Sequence, residues 1–153
     1  MAIEAPLSKY KRNNLKIYIV VCLVLAGWFA YDGYINDSFI SEHTKEDGAP
    51  DGVLVFNQKS PPAFAGAALL FGVYLYIIRG RKLVADEEEL IVAGKERIPY
   101  SAIEQIDKTH FADKGFFTII YRQNGSAETK RRLSDRDYDN LEPILDHLVA
   151  KIT

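Results

Sequence analysis

Two apolar stretches, residues 17–31 and 63–78, contain no charged side chain and flank an acidic connection. A helix that is apolar on every face must lie deep inside a protein or in lipid, because no side of it is favourable to leave in water. In this chain of 153 residues, the part outside those stretches and their connection is too small to enclose two such helices. The expectation is a membrane α-helical hairpin. Crossing roughly 30 Å of hydrocarbon takes about 20 residues. The two runs reach that length with their flanks, which places the first helix at residues 15–35 and the second at 62–79. Residues 1–14 precede them, 36–61 connect them, and 80–153 follow.

The flanks carry the side chains that suit a membrane surface. Lys16 can extend its charge to the headgroups, Trp28, Tyr31 and Tyr34 form an aromatic belt at one end of the first helix, and Arg79 and Arg81 follow the second. Lys9, Lys11 and Arg12 add to the positive charge before the first helix, whereas the connection holds Asp37, Glu42, Glu46, Asp47 and Asp51 against Lys45 and Lys59. The positive-inside rule then puts both termini in the cytoplasm of a multi-pass protein of the inner (plasma) membrane, with a periplasmic connection if the cell is bacterial. The first run is not expected to be a cleaved signal, since Asp32, Gly33, Tyr34 and Ile35 make a poor cleavage site and a second apolar run follows.

Small residues recur at four-residue spacing: Ala26 and Ala30 on the first helix, then Ala63 with Ala67 and Ala68 with Gly72 on the second. That spacing lets helix backbones approach, either to close the hairpin or to seat a partner helix. The connection reads as an irregular excursion with one short strand at residues 53–56. Its Glu42, His43, Glu46, Asp47 and Asp51 include metal-ligating types, but a solvated acidic loop accounts for them, so no metal is expected.

From residue 80 the pattern becomes α+β. Strands are expected at Lys82–Ala85, Glu89–Val92, 96–98, 103–109, 116–122 and 127–133, making an antiparallel bent sheet of about six strands. Ala93-Gly94 and Asn124-Gly125 are tight-turn signals. Residues 116–121 are apolar at odd and even positions alike, as a central strand would be. Ser134 and Asp137 have capping-box spacing, Asn140 can cap a helix with Pro143 in its first turn, and Leu141, Ile144, Leu145, Leu148, Val149 and Ile152 form one apolar stripe. That stripe should close one side of the sheet.

Asp86-Glu87-Glu88-Glu89-Leu90 followed by Gly94, then Ile98-Pro99-Tyr100-Ser101-Ala102-Ile103 leading into Ile106-Asp107-Lys108, resembles a bacterial pleckstrin-homology-like (PH-like) domain. The resemblance covers residues 82–152 and implies a strongly bent antiparallel sheet capped by a C-terminal helix, a unit often attached to a membrane hairpin. The stretch is shorter than a full-size member, which implies an edge strand that is missing or built differently. Such domains bind lipids, peptides or proteins by different surfaces, so fold analogy supplies no function.

The residues argue against several activities. There is no nucleophile elbow, no Gly-rich phosphate loop, and the single cysteine, Cys22, lies inside the first apolar run. Neither apolar run contains His, the commonest axial ligand of haem, and His110 and His147 have no ligand spacing, so no cofactor is expected. A net charge of −2 speaks against nucleic acid, and no small-molecule substrate is expected. Lys108, Lys114, Arg122, Lys130, Arg131 and Arg132 are candidates for contact with lipid headgroups or a partner. Two classes remain. One is a non-catalytic accessory subunit that packs its hairpin and docks its cytoplasmic domain on a larger respiratory, photosynthetic or transport complex of integral membrane proteins. The other is a stand-alone membrane-anchored module that binds anionic lipid or a soluble ligand through its sheet.

Overall fold

The computed structural model describes residues 2–123, 125 and 127–152. The chain divides into two compact units: one contains the residues up to 12 together with those from 78 onward, the other residues 13–77.

In the first unit, strands β1 (Ile3–Pro6), β2 (Lys82–Ala85), β3 (Glu89–Val92) and β4 (Glu96–Pro99) form an antiparallel sheet in that order. The strands β5 (Ile103–Asp107), β6 (Phe116–Tyr121) and β7 (Thr129–Ser134) form a second sheet with β6 central. Among the described residues there are therefore seven strands in two sheets rather than about six in one. The extra strand is β1, whose Ile3 to Pro6 pair with Ala85 to Lys82. Four residues ending in proline give no strand signal of their own, and the partner lies far along the chain; the ion pair between Glu4 and Lys82 spans 78 positions. Its edge position suits Pro6, which has no N–H to donate. Beyond β1, Ser8 N donates to Asp137 O and Asp139 N donates to Pro6 O, both at 2.9 Å.

Alternation places Phe117, Ile119 and Tyr121 of β6 and Leu90 and Val92 of β3 inward. The β3–β4 turn uses Ala93 and Gly94 with φ of +54° and +71°, the pair of positive values that a type I′ hairpin requires. Asn124 of the other turn signal lies outside the described residues, but β6 and β7 on either side pair antiparallel from Phe116–Ser134 to Tyr121–Thr129. The unit closes with α5 (Leu141–Ile152), whose Leu141, Ile144, Leu145 and Leu148 are buried against the sheets. Ser134 is not part of a capping box: it ends β7, and its Oγ accepts from Arg136 N in a local turn.

The other unit holds most of α1 (Lys9–Tyr34), then α2 (Asp37–Glu42) and nearly all of α3 (Gly52–Ile78). Both long helices are long and apolar enough to cross a membrane, with mean hydropathy of 1.7 over their most apolar windows. They run antiparallel, with ring contacts between Tyr18 and Phe71 at 5.7 Å and between Phe29 and Phe64 at 5.5 Å. The strand expected at residues 53–56 is instead the first turn of α3. Asp51 Oδ1 accepts from Leu54 N at 2.8 Å and so starts the helix ten residues ahead of the expected 62. The connection is also shorter and more regular than expected, since Asn36 caps α2 through Phe39 N.

Candidate functional site

Pro61 and Pro62 sit inside α3 and lack the N–H groups that would bond to the carbonyls of Asn57 and Gln58. Tyr34 of α1 compensates: its hydroxyl donates to Gln58 O at 2.7 Å, while Gln58 Nε2 donates to Gly33 O at 3.1 Å. The helices touch backbone to backbone here, since a Cβ on Gly33 would lie 2.9 Å from both C and O of Asn57. Sequence reasoning looked for pairs of small residues four apart and missed this single glycine. Of the pairs it named, Ala68 is buried, Ala26, Ala30, Ala67 and Gly72 are half-buried, and Ala63 is exposed. A Cβ on Gly72 would meet nothing within 4 Å. Among the interfacial anchors, Lys16, Trp28, Tyr31, Tyr34, Arg79 and Arg81 are all exposed.

The six basic candidates are dispersed. Arg122 pairs with Glu104 at 3.5 Å, Lys130 with Glu128 at 3.8 Å and Arg131 with Glu96 at 3.1 Å. Lys130 and Arg132 stand opposite Ile120 and Thr118 on the outer face of the β6–β7 pair, and the Arg132 guanidinium stacks on Phe116 at 3.6 Å. Arg131 alternates to the opposite face. Lys108 and Lys114 are exposed on either side of α4 (Phe111–Lys114), Lys108 before its start and Lys114 at its end.

Arg131 instead joins a cluster that sequence order conceals. With Lys11, Arg81, Asp137 and Tyr138 it borders a recess of about 190 Å³ in the sheet unit. Lys11 Nζ lies 2.6 Å from Asp137 Oδ1. Tyr138 forms an isolated antiparallel bridge with Leu7. Burial pushes the Tyr138 phenol above its ordinary pKa of 10.0, Arg131 opposes that shift, Asp137 adds to it, and Lys11 and Arg81 oppose it. Lys11 and Arg81 read in the sequence as topology charges. Their convergence depends on β1 pairing with β2, which no local pattern announces.

On the acidic side, the Asp86 carbonyl accepts from the Tyr100 hydroxyl at 2.6 Å and from His147 Nε2 at 3.0 Å. A carbonyl only accepts, so Nε2 carries the proton. Burial, with help from Asp86 and Glu89, pushes the Tyr100 phenol up to about 12. An open depression of about 700 Å³ lies beside Glu87, Glu88 and Lys151. In the connection, His43 Nδ1 and Asp51 Oδ2 are 2.8 Å apart. No group of three or more metal-ligating side chains is found among the described residues.

The chain matches no family model, no curated protein and no solved structure.

Proposed function

We propose that this chain is a non-catalytic integral membrane accessory subunit: its hairpin packs among other membrane helices, and its sheet unit docks on the cytoplasmic surface of a larger complex. One observation carries the reading. β1 precedes α1 and β2 follows α3, yet the two are adjacent strands of one sheet. A chain that leaves that sheet through α1 and returns through α3 can cross a bilayer only an even number of times, so two spans with both ends on one side satisfy it.

Other features support the same reading. The long helices keep large apolar side chains exposed, Leu70 at 71% and Trp28 at 67%, which is costly in water and ordinary in lipid or against partner helices. Four plus three antiparallel strands closed by one C-terminal helix suit a PH-like domain, with β1 as the edge strand that residues 82–152 lack. The basic recess favours the second reading, a module that recognises anionic lipid.

Affinity purification of the tagged full-length chain in mild detergent tests the proposal. Integral membrane proteins recovered in fixed stoichiometry are the expected result, and a lone species defeats the accessory role. Reporters at the two ends are expected on the cytoplasmic side of the inner membrane. Finding them on opposite sides would remove the hairpin.

A further inference from the structure

The recess beside Tyr138 is more than a set of neighbouring charges. Its walls contain Lys11, Arg81, Arg131 and Arg132 against Asp137, with Glu96 paired to Arg131 from outside the walls. The Arg132 guanidinium is stacked on Phe116. The other three cations against two carboxylates leave one positive charge in excess. Arg81 supplies it: its side chain is exposed and forms no ion pair with a carboxylate among the described residues. A guanidinium offers a planar fork of donors that matches two oxygens of a phosphate. The Tyr138 phenol, kept protonated by burial, adds a neutral donor. The space of about 190 Å³ is several times the ~30 Å³ share of one water, enough for a phosphate group.

We propose that this recess binds the phosphate of an anionic membrane lipid. The proposal rests on the reading of both helices as lying in lipid. Chain connectivity argues for a headgroup over a soluble anion. Lys11 lies in the first turn of α1, six residues before the charge-free run begins at Ile17, or about 9 Å of helix. Ile78, the last residue of α3, is itself a wall of the recess, and Arg81 follows three residues later. A headgroup phosphate is the anion found at that distance from hydrocarbon, and its acyl chains add apolar contacts that a free phosphate lacks.

Native mass spectrometry of the delipidated full-length chain, titrated with phosphatidylglycerol, phosphatidylcholine or inorganic phosphate, tests the assignment. Phosphatidylglycerol should be retained at least about five-fold better than phosphatidylcholine, Arg81→Gln should lose about five-fold, and Lys151→Gln should bind as the native chain does. Tyr138→Phe, which keeps the ring and removes only the hydroxyl donor, should weaken retention about threefold, so the proposal stays testable if Arg81→Gln misfolds. Equal retention by the native chain and both recess variants overturns it. Arg81-dependent binding of inorganic phosphate as tight as that of phosphatidylglycerol overturns the lipid source. Carbonate extraction separates the underlying reading: a chain released from membranes defeats the hairpin and the lipid source together. An extraction-resistant chain whose lipid binding ignores Arg81 defeats the recess alone.

Discussion

The sheet unit and the helical unit treat their apolar side chains in opposite ways. Leu83, Leu90, Ile98, Phe117 and Leu133 of the strands are completely or almost completely buried, and α5 turns its stripe of leucines onto them. In the helical unit, Val20, Leu23, Val24, Leu69 and Leu70 face outward, and only about a tenth of each helix's most apolar window is buried. Water drives the first arrangement, because every alternate strand residue gains by leaving it. The second arrangement cannot be justified by contacts within the unit. On the proposed reading its surroundings are apolar, and its stability comes from backbone hydrogen bonds and close helix approach instead.

Substitutions can break that contrast. The largest effect is expected for Phe117→Ala, which empties the centre of the sheet unit at a cost of about 3–5 kcal/mol, whereas Leu70→Ala should change folding stability by less than about 0.5 kcal/mol. Urea unfolding in detergent, followed by exchange of the β6 amides for Phe117→Ala and of the α3 amides for Leu70→Ala, measures both. A Leu70 cost near that of Phe117 would mean that the outward face is a buried core.

Next comes the helix crossing. Gly33→Ala drives a methyl into the Asn57 carbonyl and should cost about 1–3 kcal/mol, while Gly72→Ala, in open space, should gain up to about 1 kcal/mol from helix propensity. Thermal loss of helical circular dichroism in micelles distinguishes them, and the opposite order would make the four-residue spacing the true contact. A smaller effect is expected for Tyr34→Phe, which leaves the Gln58 carbonyl without its donor at about 1 kcal/mol. The hydroxyl of Ser60 is buried with no hydrogen-bond partner among the described residues, so Ser60→Ala should be neutral or stabilise by about 1 kcal/mol in the same assay.

The smallest effect lies in the connection. The Leu54 amide, and after it the His43 side chain, hold the Asp51 carboxyl below its ordinary 3.8. A lowered folded pKa gives stability that is present above 3.8 and is lost as pH falls through the folded value. Protection of the Leu54 amide, measured against its intrinsic exchange rate at each pH, should therefore fall in acid below about pH 4. Asp51→Asn should remove that pH dependence, and an unchanged profile in the variant would disconnect Asp51 from the start of α3.

Much of this was legible because it is periodic. Lys82–Ala85 and Glu89–Val92 have the expected bounds, residues 116–121 form the central strand of their sheet, and the stripe from Leu141 to Ile152 is buried where a closing helix belongs. The failures came where one local signal competed with another. The apolar, partly β-branched segment at residues 53–56 read as a strand, but Asp51 begins a helix there and Tyr34 relieves the prolines that follow. Gly33 escaped notice because close approach needed one glycine opposite a bare carbonyl, not a repeated pair.

Composition and periodicity determined on their own that two long apolar helices flank an acidic connection and that a small antiparallel α+β unit follows, because such patterns act through neighbours within a few residues. Only the tertiary structure decided that residues 3–6 complete the first sheet, and that Lys11, Arg81, Arg131 and Tyr138 share one recess. Those four side chains come from α1, the turn before β2, β7 and the segment that follows β7, and their convergence is set by hydrogen bonds between strands that the whole hairpin separates along the chain. No local propensity encodes a pairing at that distance.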